Sequence, residues 1–217
     1  KGDFITSPEI SQVFGEVISN WVIINLINYY DKKSFNLCEF GPGKGTLMND
    51  ILRTLKNVDN RLYNNLENVY LFEKSKSFLK ILKSKKKKFK LLNDIGDLPS
   101  NLTFYIANEF LDALPVDQYE YHNNYWYKRL ITLDKNNKFK FVRDINPSFS
   151  NIYFPKEPFE NAVFEFSEYI LNILLTVCEN IKKNGGMFLI IDYAKTKDEI
   201  YGTLTAINKH KEVDPFF

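Results

Sequence analysis

Residues Glu39 to Leu47 read EFGPGKGTL, with Gly41, Gly43 and Gly45 spaced two apart and a carboxylate two places ahead of the first. A short apolar run, Phe35 to Phe40, leads into this stretch, and an apolar pattern of helical period follows over roughly Thr46 to Leu55. The segment therefore predicts a strand, a tight turn and a helix. Glycines at alternate positions let the backbone bend sharply and come close to a ligand, because no Cβ stands in the way. A strand that feeds directly into a helix through such a turn makes a layered α/β fold the first expectation.

The remaining sequence alternates in the same manner. Ser7, Pro8 and Glu9 read as a helix start with Ser7 as its cap, and Ile10, Val13, Phe14, Val17, Ile18 and Trp21 recur at helical spacing, predicting one long helix to about Tyr30. NVYLFE, Asn68 to Glu73, is a second strand ending in a carboxylate, followed by a helix through Phe78 and Leu82. Phe89 to Leu92 gives a third strand ending near Asp94, and LTFYIA, Leu102 to Ala107, a fourth ending at Asn108 and Glu109. A helix over Phe164 to Lys182 closes at Gly185-Gly186, and Met187 to Ile191 is a fifth strand ending in Asp192-Tyr193. This order implies a mostly parallel sheet with helices on both faces.

Val116 to Val142 breaks the pattern. Its alternating aromatics, with polar turns at Asn123-Asn124 and Asp134 to Asn137, predict an antiparallel meander inserted into the core or lying at its edge. Tyr121, Tyr125, Trp126 and Tyr127 read there as cross-strand packing partners. At 217 residues and 44% hydrophobic the chain can bury the core of one domain. Within it we expect an N-terminal helical segment over 1–34, a ligand-binding core over 35–115 and 160–193, the meander over 116–159, and a tail over 194–217 without a packing partner of its own.

Composition excludes several functions. Twenty-nine basic against 27 acidic side chains give a net charge of +2, which argues against stable nucleic-acid binding. The run Lys85 to Lys88 reads as a solvated helix end. No apolar stretch approaches the ~20 residues that cross a bilayer, so membrane insertion is not expected. Cys38 and Cys178 sit in apolar runs and read as buried thiols in a reducing compartment. His122 and His210 stand too far apart to suggest a metal site.

In open parallel sheets ligands bind beyond the carboxyl ends of the strands, where Glu39, Glu73, Asp94, Asn108, Glu109 and Asp192 gather. The glycine turn fails as a phosphate loop because Lys44 is followed by Gly45 instead of Ser or Thr. It also lacks the third glycine of the dinucleotide fingerprint, a place held by Thr46, which leaves open only an atypical version of that motif. Glu39 would repel a pyrophosphate and attract a cation. S-adenosylmethionine carries a sulfonium and an ammonium and no phosphate, and it matches this set group by group. Glu39 and the turn of Gly41, Gly43 and Gly45 meet its charged part, Glu73 takes the ribose hydroxyls, Asp94 accepts from the adenine amino group beside Ile95, and Asn108 joins the cofactor-binding set. Taken singly, each acid also suits a helix cap or a solvated surface; their joint placement on successive strand ends carries the argument.

Five blocks add a resemblance. GDFITSPEISQVFGE (Gly2 to Glu16), EFGPGKGTLMNDILR (Glu39 to Arg53), NEFLDALPVDQ (Asn108 to Gln118), IDYAKTKDEIYGTL (Ile191 to Leu204) and VDP (Val213 to Pro215) together resemble the MidA family of S-adenosylmethionine-dependent methyltransferases. The resemblance implies a Rossmann-like class I methyltransferase sheet and methylation of arginine on a protein substrate. In the mitochondrial representative that substrate is a subunit of respiratory complex I during its assembly. A cytoplasmic location in a bacterium, or the mitochondrial matrix in a eukaryote, follows, as does a substrate-pocket role for Thr6, Ser7, Glu9, Gln12 and Asp192. Relatives extend upstream of Gly2 and beyond Pro215, so the last strands of the sheet are expected to be missing. They commonly have arginine at Lys44 and glycine at Ala194.

Methyl transfer is an in-line displacement, for which a protein supplies alignment and charge placement. Glu109 and Asp112, one loop turn apart after the fourth strand, would hold a guanidinium bidentately and take up the proton it loses. The competing reading leaves Asp112 as the cap of a short helix and Glu109 in solvent. Two other functions stay open at this point, a non-catalytic assembly factor that keeps the fold while its aromatic ribbon docks a partner, and an RNA methyltransferase.

Overall fold

The computed structural model describes residues 6–31, 33–84, 89–148, 154–193, 202–209 and 211–216. In chain order the first elements are α1 (Ser7–Ile10), α2 (Gln12–Tyr29), β1 (Phe35–Phe40), α3 (Thr46–Val58), α4 (Asn60–Asn64), β2 (Leu66–Phe72), α5 (Lys76–Ser84), β3 (Lys90–Leu92) and β4 (Thr103–Asn108). There follow β5 (Asp117–His122), β6 (Tyr125–Leu133), β7 (Phe139–Arg143), β8 (Val163–Phe166), α6 (Glu168–Asn184), β9 (Gly186–Ile191), β10 (Ala206–Asn208) and β11 (Lys211–Val213). The described residues form two compact units, those within 6–113 and 170–193, and those within 114–169 and 202–216.

The first unit is built on a parallel sheet in the order β3-β2-β1-β4-β9. The register is level at the carboxyl ends: Phe40 pairs with Phe72 and Ala107, Phe72 with Leu92, and Asn108 with Ile191. Chain order runs outward from β1 to one side and from β4 to the other. The space between their tips is therefore the switch point at which open sheets bind ligands.

Both faces of the sheet are covered, which is why β1 is buried along its whole length. On one face Leu37, Leu71, Phe104 and Ile106 pack with Ile18, Val22 and Leu26 of α2, Met48, Ile51 and Leu55 of α3, Leu62 of α4 and Leu82 of α5. Fully burying side chains of this size contributes about 1.5–3 kcal/mol each. The other face is an aromatic layer in which the Phe40 ring lies 5.6 Å from Phe72 and Phe110, 5.7 Å from Phe188 and 6.1 Å from Tyr105. There the Tyr105 hydroxyl donates to Asn180 Oδ1 of α6 at 2.8 Å. Buried Asn36 accepts from Asn68 Nδ2 at 3.1 Å, so this polar intrusion into β1 is satisfied across the sheet.

The second unit carries an antiparallel sheet in the order β7-β6-β5-β8 and the hairpin of β10 and β11. The meander and both of its turns lie where the sequence put them. Tyr121 pairs with Trp126 across the first turn with ring centroids 5.3 Å apart, and Trp126 stacks on Phe154.

Several expectations are corrected. The single N-terminal helix is two, because Ser11 adopts an extended backbone between them and caps α2 by accepting the Val13 N–H. Ser7 is the first residue of α1 and not its cap; that position is Thr6. Phe164 and Phe166 belong to β8 and not to a helix, since the alternation V-F-E-F pairs them with β5, and α6 starts only at Glu168. The tail does find partners: Glu165 accepts the N–H groups of Thr203 and Leu204, and the Phe216 ring lies 4.7 Å from Phe141. Cys38 is buried as expected, whereas Cys178 is exposed on α6. Lys85 to Lys88, Ala194 and His210 lie outside the described residues.

Candidate active site

The glycine turn leaves β1 with all three glycines at positive φ, Gly41 at 65°, Gly43 at 52° and Gly45 at 72°, a backbone that residues with a Cβ rarely adopt. Two bonds close it, from Gly41 N to Phe72 O at 2.9 Å and from Gly45 N to Pro42 O at 2.6 Å, and Gly45 is the N-cap of α3. A third comes from a side chain: Glu73, at the tip of β2, accepts the Gly43 N–H on Oε2 at 3.2 Å and the Ser75 N–H on Oε1 at 2.7 Å. Each carboxylate oxygen offers two acceptor positions, so Glu73 keeps capacity for two further donors.

Glu39 occupies the penultimate place of β1 and is 3% exposed. It lies next to Cys38, whose thiol is pushed well up, first by burial and then by the Glu39 charge. Asn108 ends β4 on the other side of the switch point, and its Oδ1 is buried with no hydrogen-bond partner among the described residues. Asp94 lies two residues beyond β3, where it caps a 3-10 turn over Ile95–Asp97 by accepting the Gly96 N–H at 2.9 Å. That cap uses one of its oxygens.

After β4 the backbone enters a loop through Glu109 in the left-handed region, φ 47°, while Glu109 N donates to Ile191 O at 2.9 Å. Phe110 turns inward, and a Cβ placed on Gly41 would meet its Cδ2 at 2.8 Å. Sequence reasoning missed Phe110; its place directly after a strand-terminal acid was the available signal. Asp192, at the tip of β9, accepts the N–H groups of Phe110, Leu111 and Asp112 on one oxygen, at 3.2, 2.8 and 3.3 Å. Asp112 holds its proton above the ordinary carboxylate range, chiefly through desolvation, then through the charges of Asp192 and Glu109, with the Ala113 N–H pulling the other way. Glu109, Asp112 and Asp192 therefore share one loop cluster.

The N-terminal residues meet the same turn from its other side. Glu9 pairs with Lys44 at 2.8 Å, and Gln12 accepts from Arg53 Nη1 at 2.9 Å. These partly exposed contacts are worth about 0.2–1 kcal/mol each; their use is to seat α1 and α2 beside the turn. Ser7 instead lines an apolar hollow with Ile10, Val13, Phe14 and Val17, and Thr6 supplies a backbone carbonyl to Glu9 N.

The donor set fits a cationic nucleoside. Gly43 faces open space, with nothing within 4 Å of a built Cβ, and the side chain bonded to its N–H is the Glu73 carboxylate; Glu39 and Asn108, near the ends of β1 and β4, are further acceptors. A phosphate would meet the carboxylates of Glu39 and Glu73, whereas a sulfonium or ammonium meets compensating charge. Among the described residues there is no cluster of three or more metal-ligating side chains, and no helix is long and apolar enough to cross a membrane.

Comparison with known proteins gives the same class. A family model described as "Putative S-adenosyl-L-methionine-dependent methyltransferase" matches residues 17–217. The chain is 33% identical over 218 residues to protein arginine methyltransferase NDUFAF7, mitochondrial, of Xenopus laevis, covering 88% of this chain and 50% of that protein. It is 31% identical over 219 residues to the Homo sapiens protein of the same name, covering 89% and 49%. The Caenorhabditis elegans homologue is 29% identical, covering 99% and 55%. The chain thus spans about half the length of the curated relatives it matches. A crystal structure of a COG1565 superfamily member from Burkholderia thailandensis bound to S-adenosyl-homocysteine superposes with a TM-score of 0.74 at 22% identity, covering 99% of this chain and 57% of that one. That likeness concerns the fold.

Proposed function

The chain belongs to this family of S-adenosyl-L-methionine-dependent methyltransferases, and on that premise we propose that it binds S-adenosylmethionine at the β1–β4 switch point and methylates arginine on a protein. The carrying observation is the hold of Glu73 on Gly43, which brings the ends of β1 and β2 together beside the open space in front of Gly43. In this reading Glu39, the Gly41, Gly43 and Gly45 turn and Asn108 surround the cationic part of the cofactor, Glu73 holds the ribose, and Asp94 faces the adenine. Bound S-adenosylmethionine supplies a methyl group activated by its sulfonium.

The chain's own residues do the rest. Glu109 and Asp112 orient the acceptor guanidinium, and either carboxylate takes the proton that its nitrogen loses. Thr6, Ser7, Glu9 and Gln12, in the segment that Glu9 ties to the turn through Lys44, form part of the acceptor wall. Arginine as acceptor is supported by the names of the relatives and by the acidity of the loop. A respiratory-chain subunit as substrate is supported by the sequence resemblance. The mitochondrial matrix in a eukaryote is supported by the relatives' mitochondrial names, and the cytoplasm is its counterpart in a bacterium.

Two measurements on the full-length protein test this. Calorimetric titration with S-adenosylhomocysteine is expected to give about micromolar affinity, and mass spectrometry of cells with and without an active copy is expected to show methyl marks on arginine. An absence of binding heat removes the cofactor site. Marks confined to RNA or to another side chain remove the arginine reading and leave the cofactor site standing.

A further inference from the structure

Resting on the reading above, we infer that Asp192 is the positioning residue of the acceptor loop, fixing where Glu109 and Asp112 stand by gripping the backbone between and beside them. The loop and its anchor leave the sheet side by side, because β4 and β9 are neighbours with Asn108 opposite Ile191. One oxygen of Asp192 receives three consecutive N–H groups, those of Phe110, Leu111 and Asp112, and the other receives Tyr193 N at 2.9 Å. Three successive N–H groups converge on one atom only when the backbone curls into a concave nest, a shape that binds anions. Here the chain supplies the anion itself.

The curl begins at Glu109, whose left-handed backbone is unfavourable for a residue with a Cβ and persists only where the surroundings impose it. Charge-assisted bonds to a carboxylate are the kind of contact that imposes it. The grip also reaches the glycine turn. Phe110, the first residue held by Asp192, is 9% exposed and packs its ring 5.6 Å from Phe40 and 6.4 Å from Phe72, directly under Gly41. Asp192 thereby sets the loop against the cofactor side of the site without being among the groups placed around the cofactor. Its negative charge and that of Glu109 are the two that face Asp112.

Asparagine at this position offers one uncharged oxygen and an NH2 that opposes an N–H, so it cannot replace the grip. In full-length Asp192→Asn we expect the amides of residues 110–112 to lose hydrogen-exchange protection by about tenfold or more. The affinity for S-adenosylhomocysteine should stay within about threefold of wild type, while kcat falls by about a hundredfold, the effect of a misplacement near 1 Å. The acid limb of the rate should move to lower pH, because Glu109 alone then opposes the charge on Asp112. Unchanged exchange overturns the inference whatever the activity, and lost protection with unchanged kcat and acid limb overturns the positioning role. Should the variant not fold, the wild type still decides: the amide resonances of residues 110–112 and 193 must follow the Asp192 carboxyl carbon through an acid titration, and independent behaviour overturns the grip. If the wild type neither binds S-adenosylhomocysteine nor transfers methyl groups, the function fails, and exchange and titration still judge the anchor.

Discussion

Glu73 at the tip of β2 accepts the backbone N–H of Gly43 at 3.2 Å, so the second strand holds the turn that leaves the first. The shape of the glycine turn depends on a carboxylate 30 residues further along the chain. Losing a hydrogen bond to a charged group costs about 1.5–3 kcal/mol, and each 1.4 kcal/mol is a factor of about ten in affinity. Glu73→Ala is therefore expected to weaken S-adenosylhomocysteine binding by about tenfold or more. Glu73→Gln should fall between it and wild type, since it retains one acceptor oxygen. Calorimetry on the three proteins checks the order, and equal affinities would take Glu73 out of the site.

Two glycines of the same turn should respond differently to alanine. At Gly41 the added Cβ would sit 2.8 Å from the Phe110 ring, on a backbone at φ 65°, whereas at Gly43 it would meet only open space at φ 52°. Gly43→Ala carries the left-handed strain alone, about 1 kcal/mol, and Gly41→Ala adds displacement of a buried ring, for about 2 kcal/mol or more in all. Gly43→Val should fold and fail to bind, because its side chain fills the space left for a ligand. Thermal melts with and without S-adenosylhomocysteine separate the three, and a Gly41→Ala melt matching that of Gly43→Ala would remove the role given to Phe110.

The middle of the sheet was legible because β4 is buried along nearly its whole length and reads as an unbroken apolar run ending in an acid, LTFYIA before Asn108 and Glu109. The meander was legible from its period of two and its Asn-Asn turn. What stayed hidden depends on contacts across the chain. Ser11 breaks the N-terminal helix although the apolar spacing continues through it, since a cap is a local hydrogen bond that periodicity does not register. Phe164 and Phe166 satisfy either period over so short a run, and pairing with β5 decides between them. Within the site, the acids could be named from their strand ends, yet that Asp192 faces backbone N–H groups follows from the β4 and β9 pairing and not from its neighbours in sequence.

Tyr30 closes the far end of the same unit. Its hydroxyl donates to Gly186 O at 2.8 Å and accepts from Gly186 N at 3.1 Å, tying the end of α2 to the first residue of β9. Tyr30→Phe keeps the ring against Phe104 and removes both bonds, for an expected loss of about 1–3 kcal/mol. Gly186→Ala should be worse, because its Cβ would lie 1.9 Å from the carbonyl oxygen of Thr103. Urea unfolding midpoints give the ranking wild type, Tyr30→Phe, Gly186→Ala, and a Tyr30→Phe midpoint equal to wild type would show that water replaces the hydroxyl without loss.

Asp112 makes stability and activity depend on pH in opposite directions. Its pKa is raised in the folded state, by desolvation first and then by Asp192 and Glu109. The folded protein therefore binds more protons than the unfolded chain between the ordinary carboxylate value and the raised one. Under linkage, stability falls as pH rises through that window and is level above it. The ionised group is the one that would hold a guanidinium, so methyl transfer should instead rise through the same window. Asp112→Asn removes the charge and keeps a donor for Asp192, so it should be more stable than wild type at neutral pH, with the difference shrinking toward about pH 3. Its transfer rate should be low and should lose this acid limb. Unfolding midpoints for both proteins across that range are the check; a difference that stays constant with pH would mean that the charge on Asp112 is not what the fold opposes.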